Sequence, residues 1–278
     1  MLPFQLPLSL LLGVFIAVIA WRARALSRSG ALAAAITGGL IFGLGGVPWA
    51  ALLLTFFLSS STFSRLFAAR KALVIENYAK GNQRDWGQVL ANGGLGLALV
   101  ILQVPFSRQV DWWAVYVGAM AAVNADTWAT ELGVLSPSRP RLITTGKVVE
   151  RGTSGGITLW GSLAALGGAF LIGFVAWLFQ PGSGYSFYTA LRWITVAVMA
   201  GLGGSFFDSL LGASLQAIYH CPICNRDTEK HPFHTCGGQT ELVRGWQWMN
   251  NDLVNFICSL VGGGLAVCLW RLLGFWMV

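Results

Sequence analysis

Repeated apolar runs of about twenty residues leave this chain few possible folds, because a helix needs that length to cross the hydrocarbon core of a bilayer. Eight such segments are predicted, at 3–20, 31–47, 48–65, 87–104, 112–134, 156–179, 190–213 and 252–270. The second and third are divided by Gly45-Gly46-Val47-Pro48. Hydrophobic residues make up 55% of the chain and charged ones only 10%, against about 25% charged in a soluble domain. The first run lacks a basic start, and Trp21-Arg22-Ala23-Arg24 follows it in place of a small-residue cleavage site. It is therefore read as a helix and not as a secretory signal. The expected fold is an all-α integral membrane protein, a single polytopic domain over residues 1–278 with four helical hairpins.

The net charge of +7 would point to nucleic acid in a soluble protein. In a membrane protein the excess of basic residues on cytoplasmic loops accounts for it. In the eight-helix arrangement one side carries Arg22, Arg24, Arg28, Arg65, Arg70, Lys71, Lys80, Arg84, Arg139, Arg141, Lys147, Arg151, Arg226, Lys230 and Arg244. The other carries Arg108, Arg192 and Arg271, a split of 15 to 3. Both termini are thus expected outside the cell membrane, with residues 214–249 in a cytoplasmic loop and no nucleic-acid partner.

Two apolar segments contain acids. One reads Asn124-Ala125-Asp126-Thr127-Trp128-Ala129-Thr130-Glu131, the other Ser205-Phe206-Phe207-Asp208-Ser209. An ionisable group at membrane depth costs about 2.5–3.5 kcal/mol on insertion scales and marks a bundle interior or wet cavity. Carboxylates beside hydroxyls and amides form a hard oxygen set of the kind that binds Mg²⁺. Asp126 and Thr130 are four residues apart and share a helix face, whereas Glu131 lies about 140° round from Asp126. Gln88 and Asn92 share a face, as do Asn251 and Asn255, and the two pairs have one spacing. This recurrence points to a weak internal repeat of hairpins. The glycine clusters Gly38-Gly39…Gly46 and Gly262-Gly263-Gly264 are read as helix-packing surfaces.

Gly152-Thr153-Ser154-Gly155-Gly156 lies where a loop enters a predicted helix, and free N–H groups at a helix N-terminus bind phosphate. Arg139, Arg141, Lys147 and Arg151 precede it. Arg65, Arg70 and Lys71 form a second basic cluster, suited equally to anionic lipid headgroups. In the last loop, Cys221-Pro-Ile-Cys224, His231, His234 and Cys236 suit tetrahedral Zn²⁺, with reduced thiols or a redox pair as alternatives.

The motifs Ala125-Asp126-Thr127-Trp128-Ala129-Thr130-Glu131, Gly152-Thr153-Ser154-Gly155-Gly156, Asp208-Ser209-Leu210-Leu211-Gly212 and Asn251-Asp252-Leu253-Val254-Asn255 resemble those of the integral-membrane family termed domain of unknown function 92. That family includes transmembrane protein 19 and plant phytyl-phosphate kinase. It is similar in turn to CTP-dependent polyprenol and phytol kinases. The resemblance runs from about Ser27 to Phe256. It implies phosphorylation of an isoprenyl monophosphate by CTP or ATP, with the reacting phosphates at the cytoplasmic interface. It further implies Mg²⁺ at Asp126 and Asp208, with Asp252 as a third acid and Glu131 as ligand or supporting partner. Arg141, Lys147, Arg151 and Arg65 would contact phosphate. Asn92, Asn124, Thr127, Ser209, Asn251 and Asn255, with Thr153, Ser154, Gly155 and Gly156, would orient substrate or metal-bound water. A transporter or flippase for an anionic lipid or small anion is the alternative, because hairpin repeats and intramembrane acids suit that class too.

Overall fold

The computed structural model describes residues 5–68, 83–107, 110–182 and 184–275. Arg70, Lys71, Lys80 and Arg108 from the charge count lie outside the described residues. Seven helices are described: α1 Gln5–Arg22, α2 Arg28–Leu66, α3 Trp86–Leu102, α4 Trp112–Gly133, α5 Leu159–Leu178, α6 Phe187–Ser214 and α7 Asn251–Phe275. Among the described residues, α1, α2, α5, α6 and α7 are long and apolar enough to cross a membrane.

The break expected at Gly45-Gly46-Val47-Pro48 falls inside α2. Segments 31–47 and 48–65 form one element, α2, broken at Gly46 with φ 76° and ψ −167°. That backbone region is essentially restricted to glycine. A Cβ on Gly38 would lie 3.9 Å from Leu53 Cδ2, yet residues this far apart in a straight helix are separated by about 22 Å. The two arms of α2 therefore fold back on each other, and Pro48 opens the second arm where its missing N–H costs little.

Helix α4 is the centre of the bundle. It packs against α2, α3, α5, α6 and α7, and every residue from Tyr116 to Ala125 is buried. Small residues make this possible. A Cβ on Gly204 would come within 2.4 Å of Ala122 Cβ, one on Gly262 within 2.5 Å of the same atom, and one on Gly201 within 3.1 Å of Ala121 O. Helices α4, α6 and α7 thus meet almost backbone to backbone, as small residues permit in membranes. Paired positions on α4 and α6 advance together (121 with 201, 122 with 204), so these helices run parallel. Helix α7 is antiparallel to both (118 with 266, 204 with 258). Large apolar side chains such as Leu8, Leu11, Phe15, Leu163 and Phe170 are exposed on the outside, which is the lipid-facing pattern.

The bundle is helical as expected, and two of its loops add short strands. The loop before α5 carries two short strands, β1 Arg141–Leu142 and β2 Gly156–Ile157, paired antiparallel. The loop before α7 holds β3 Ile218–Cys221, β4 Arg226–Thr228 and β5 Glu241–Arg244 in an antiparallel sheet of order β4-β3-β5. Strands this short carry too few alternations to be read from sequence.

Candidate functional site at one end of the bundle

The parallel course of α4 and α6 brings Asp126 and Asp208 to the same end of the bundle. The antiparallel return of α7 brings Asn251, Asp252 and Asn255 there as well. A cavity of about 350 Å³ lies between them. Its lining includes Asn92, Asp126, Thr127, Thr130, Glu131, Arg151, Asp208, Ser209, Asn251, Asp252, Asn255 and the whole run from Gly152 to Thr158. Residues more than a hundred positions apart in sequence therefore share one space.

The two acids of α4 face different neighbours, as the helical period requires. Ser205 of α6 donates to Asp126 Oδ1 at 3.5 Å. Ser64, at the end of α2, donates to Glu131 Oε1 at 2.6 Å. Asp208 Oδ2 is buried without a hydrogen-bond partner, and so is Asn92 Oδ1. Asn92 donates its amide N–H to Gln88 O at 3.0 Å, and Asn255 donates to Asn251 O at the same 3.0 Å. The spacing shared by the two pairs is thus a shared geometry. In each, the N–H group is tied back to the preceding turn.

Buried oxygens without donors are costly, and a cation meets that deficit. The cavity wall carries five carboxylates (Asp126, Glu131, Asp208, Glu229 and Asp252) against two guanidiniums, Arg84 and Arg151. With its amides and hydroxyls this is an all-oxygen donor set, which fits Mg²⁺.

Four of the expected contacts lie elsewhere. Asn124 is fully buried away from the cavity, donating to Gly168 O of α5 at 2.8 Å and accepting from Ser59 of α2 at 3.2 Å. It joins three helices, because its position on α4 points about 160° away from Asp126. Arg65 donates to Ala23 O at 2.6 Å and so caps the end of α1. Arg141 donates to Gly146 O at 3.0 Å within its own loop, and Lys147 is exposed on that loop. Neither lines the cavity.

The glycine-rich run is placed differently from the expectation. It does not enter the helix directly. Gly156 belongs to β2, and α5 starts later, with Thr158 accepting from Gly161 N at 2.9 Å. Gly155 has φ +83°, and a Cβ there would lie 2.4 Å from Ala213 N. The run therefore rests on the last turn of α6. Arg244 of β5 clamps this junction, donating to Gly212 O at 2.9 Å and Ser154 O at 3.4 Å. Desolvation lowers the Arg244 pKa, against the pull of Asp227. The Ser154 hydroxyl is not left for phosphate, since it donates to Glu229 Oε1 at 2.8 Å.

Several lining residues were not singled out from sequence. Arg84 is the most consequential. Its backbone is pinned to the α1–α2 turn, with Arg84 N donating to Ala25 O at 3.1 Å and Arg84 O accepting from Ser27 N at 3.0 Å. Gly30 permits this approach, because a Cβ there would strike Arg84 O. Desolvation pushes the Arg84 pKa down to about 10, opposed by the charge of Glu131, so the guanidinium stays protonated at neutral pH. Glu229 arrives from the Cys/His loop and accepts from both Ser154 and Gln216, the latter at 2.7 Å. Gln216 lines the wall too, as do Ser64 and Asn250, which lie at the polar ends of α2 and α7. The Arg84-Asp85-Trp86 junction offered one signal, a cation at a helix start where the topology rule alone absorbed it.

In the same loop, the donor atoms of Cys221, Cys224, His234 and Cys236 all lie within 4.8 Å of one another. Adjacent pairs are 3.3–3.5 Å apart, close to the edges of about 3.4–3.8 Å that follow from tetrahedral Zn–S and Zn–N bond lengths. His231 takes no part and stacks on Tyr219 at 4.4 Å between centroids.

The sequence profile described as integral membrane protein DUF92 matches residues 11–263. Protein PGR of Arabidopsis thaliana is 32% identical over 281 residues, covering 93% of each chain. An uncharacterized membrane protein of Methanocaldococcus jannaschii is 31% identical, covering 96% of this chain and 94% of its own. Protein VTE6, chloroplastic, also of Arabidopsis thaliana, is 25% identical, covering 87% of this chain and 64% of its own. No solved structure matches the chain. The profile spans most of the sequence and two relatives exceed 30% identity over nearly their whole length, so the chain belongs to the DUF92 family of integral membrane proteins.

Proposed function

We propose that this protein is an isoprenyl monophosphate kinase of the phytyl or geranylgeranyl type. It transfers a phosphoryl group from a nucleoside triphosphate, CTP in preference to ATP, to give the prenyl diphosphate. One observation carries the reading: five carboxylates face two guanidiniums in a cavity that also gathers amides, hydroxyls and a glycine-rich loop. Such a wall repels two phosphorylated reactants unless divalent cations come with them. The motif resemblance supports the choice of isoprenoid substrate.

Phosphoryl transfer asks a protein for positioning and charge stabilisation more than covalent chemistry. Asp126 and Asp208 would hold Mg²⁺, with Asp252 contributing from α7. The charge of such an ion would offset that of the transferred phosphoryl group. Arg84 and Arg151 bind phosphate oxygens. Asn92, Asn251 and Asn255 orient the acceptor, with Thr127, Thr153 and Ser209 as hydroxyl donors. Gly155 and Gly156 keep the loop backbone close to the cavity. The acceptor is already an anion at neutral pH, so no general base is required. Arg141 and Lys147 act on arriving anions through their field.

The same reading places the protein in the cell membrane with both termini outside and the cavity on the cytoplasmic side. The Cys/His loop holds a structural Zn²⁺ there. A cysteine introduced beside Arg141 should then react with an impermeant reagent only after the inner face is opened; reaction in intact cells would overturn the orientation.

The activity is tested with purified protein, Mg²⁺, radiolabelled CTP or ATP, and prenyl monophosphates of several lengths. Label should appear in the prenyl diphosphate. No transfer to any acceptor, alongside movement of an anionic lipid or small anion across vesicles, would establish the transporter class instead.

A further inference from the structure

A second cavity, of about 540 Å³, lies beside the first between α1, both arms of α2, and α3. Its walls are apolar or small, among them Gly13, Ala17, Gly38, Leu53 and Gly93. Two of its three hydroxyls bond their own helices, Ser9 donating to Leu6 O and Thr55 to Ala51 O, both at 2.8 Å. From Ser9 to Ala20 the α1 wall runs about 17 Å at the helical rise. That is close to one leaflet's share of a hydrocarbon core about 30 Å thick.

The two cavities are continuous in their lining, since Arg84, Gln88 and Asn92 border both. The Arg84 guanidinium lies 5.3 Å from the Phe56 ring centroid and 5.7 Å from that of Phe57. Both phenylalanines line the apolar side. A cation therefore stands on the partition between a polar space and an apolar one, with its main chain fixed by the α1–α2 turn. A ligand that satisfies both spaces has an anionic head and one apolar tail. The volume falls within the 300–1,000 Å³ range of single small-ligand pockets.

We infer that one single-chain lipid phosphate spans the two cavities, its phosphate at Arg84 and its tail between α1, α2 and α3. The assignment rests on the prenyl-phosphate reading for the headgroup and extends it to a tail site that selects chain length. Gly38 is the position that tests it. A Cβ there meets only Leu53 Cδ2, at 3.9 Å, so a side chain can be added without backbone conflict and enters the cavity.

Binding is measured without turnover, using tritiated prenyl monophosphates of twenty and five carbons on detergent-purified full-length protein. Gly38→Phe should raise the Kd for the long substrate at least tenfold and leave that for the short one within twofold. Arg84→Gln should weaken both by about tenfold. A prenyl phosphate with a diazirine at the tail end should label α1 and α2 peptides, with competition by unlabelled prenyl phosphate but not by phosphatidylglycerol. Equal loss for both chain lengths in Gly38→Phe, labelling confined to the outer faces, or no binding of any prenyl phosphate would each overturn the inference. Should Gly38→Phe not fold, the labelling pattern of the parent protein decides. A parent that binds and labels as expected yet transfers no phosphate retains the tail site and loses the kinase reading.

Discussion

Asp208→Asn is the most informative single change, because one oxygen of this side chain is buried in the cavity with no hydrogen-bond partner. Asn keeps the volume and the packing of α6 but removes the charge that would hold a cation. Its cost to folding is small or favourable, since a carboxylate at membrane depth carries an insertion penalty of about 2.5–3.5 kcal/mol that a neutral amide reduces. Its cost to the reaction is large. Losing several kcal/mol of charge stabilisation, taken as about 4 kcal/mol, slows turnover about a thousandfold. Asp126→Asn should behave alike, because Ser205 donates to Asp126 weakly, at 3.5 Å, and cannot replace its charge. The assay is transfer from labelled CTP at limiting Mg²⁺, with thermal unfolding of each variant in the same detergent. Near-parental turnover in both variants would refute the assignment. Loss of turnover accompanied by an equal loss of stability would show that the acids serve packing.

Gly155→Ala forces an alanine to φ +83° and a Cβ to 2.4 Å from Ala213 N. It should lower stability by at least about 1–3 kcal/mol and raise KM for both substrates, read from initial rates and melting curves. Elemental analysis of chelator-free protein should give one zinc per chain, held by Cys221, Cys224, His234 and Cys236. Stripping it should free Glu229 from Ser154 and Gln216, lowering the melting temperature before activity is lost; unchanged melting would falsify a structural metal. Asn124→Ala removes one hydrogen bond each from Gly168 O and the Ser59 hydroxyl. It should cost about 1–3 kcal/mol of stability with KM unaltered, and a selective rise in KM would mean that Asn124 touches substrate after all.

The apolar runs, the small-residue clusters and the acids in α4 and α6 were legible because each is a local pattern with a physical cost attached. An Asp inside an apolar helix has to face something polar. Spacing alone placed Asp126 and Glu131 on different sides, and Ser205 and Ser64 now occupy those sides. The fold-back of α2 was half legible. Gly45-Gly46-Val47-Pro48 marked a break, yet the distinction between two helices and one hairpin element depends on the φ and ψ of Gly46, which no composition reports. The five short strands were illegible because two to four residues contain no period.

The misplaced contacts share a different cause. Arg141, Lys147 and Arg65 read as phosphate ligands in sequence because they are cations near a motif, but nearness in sequence says nothing about where a long side chain ends. Arg141 finds a carbonyl five residues away and Arg65 one at the end of α1. Arg84 does the opposite. In sequence it is an ordinary loop cation, and it reaches the cavity because the α1–α2 turn, more than fifty residues earlier, grips its backbone at both N and O. Glu229 is the same case, a residue of the Cys/His loop that bonds Ser154 across 75 positions. A membrane bundle reveals its helix-borne site residues through the penalty of burying them. Residues delivered by loops carry no such penalty in the sequence. They become visible only once tertiary contacts decide which loop residue reaches the cavity, as they do for Arg84.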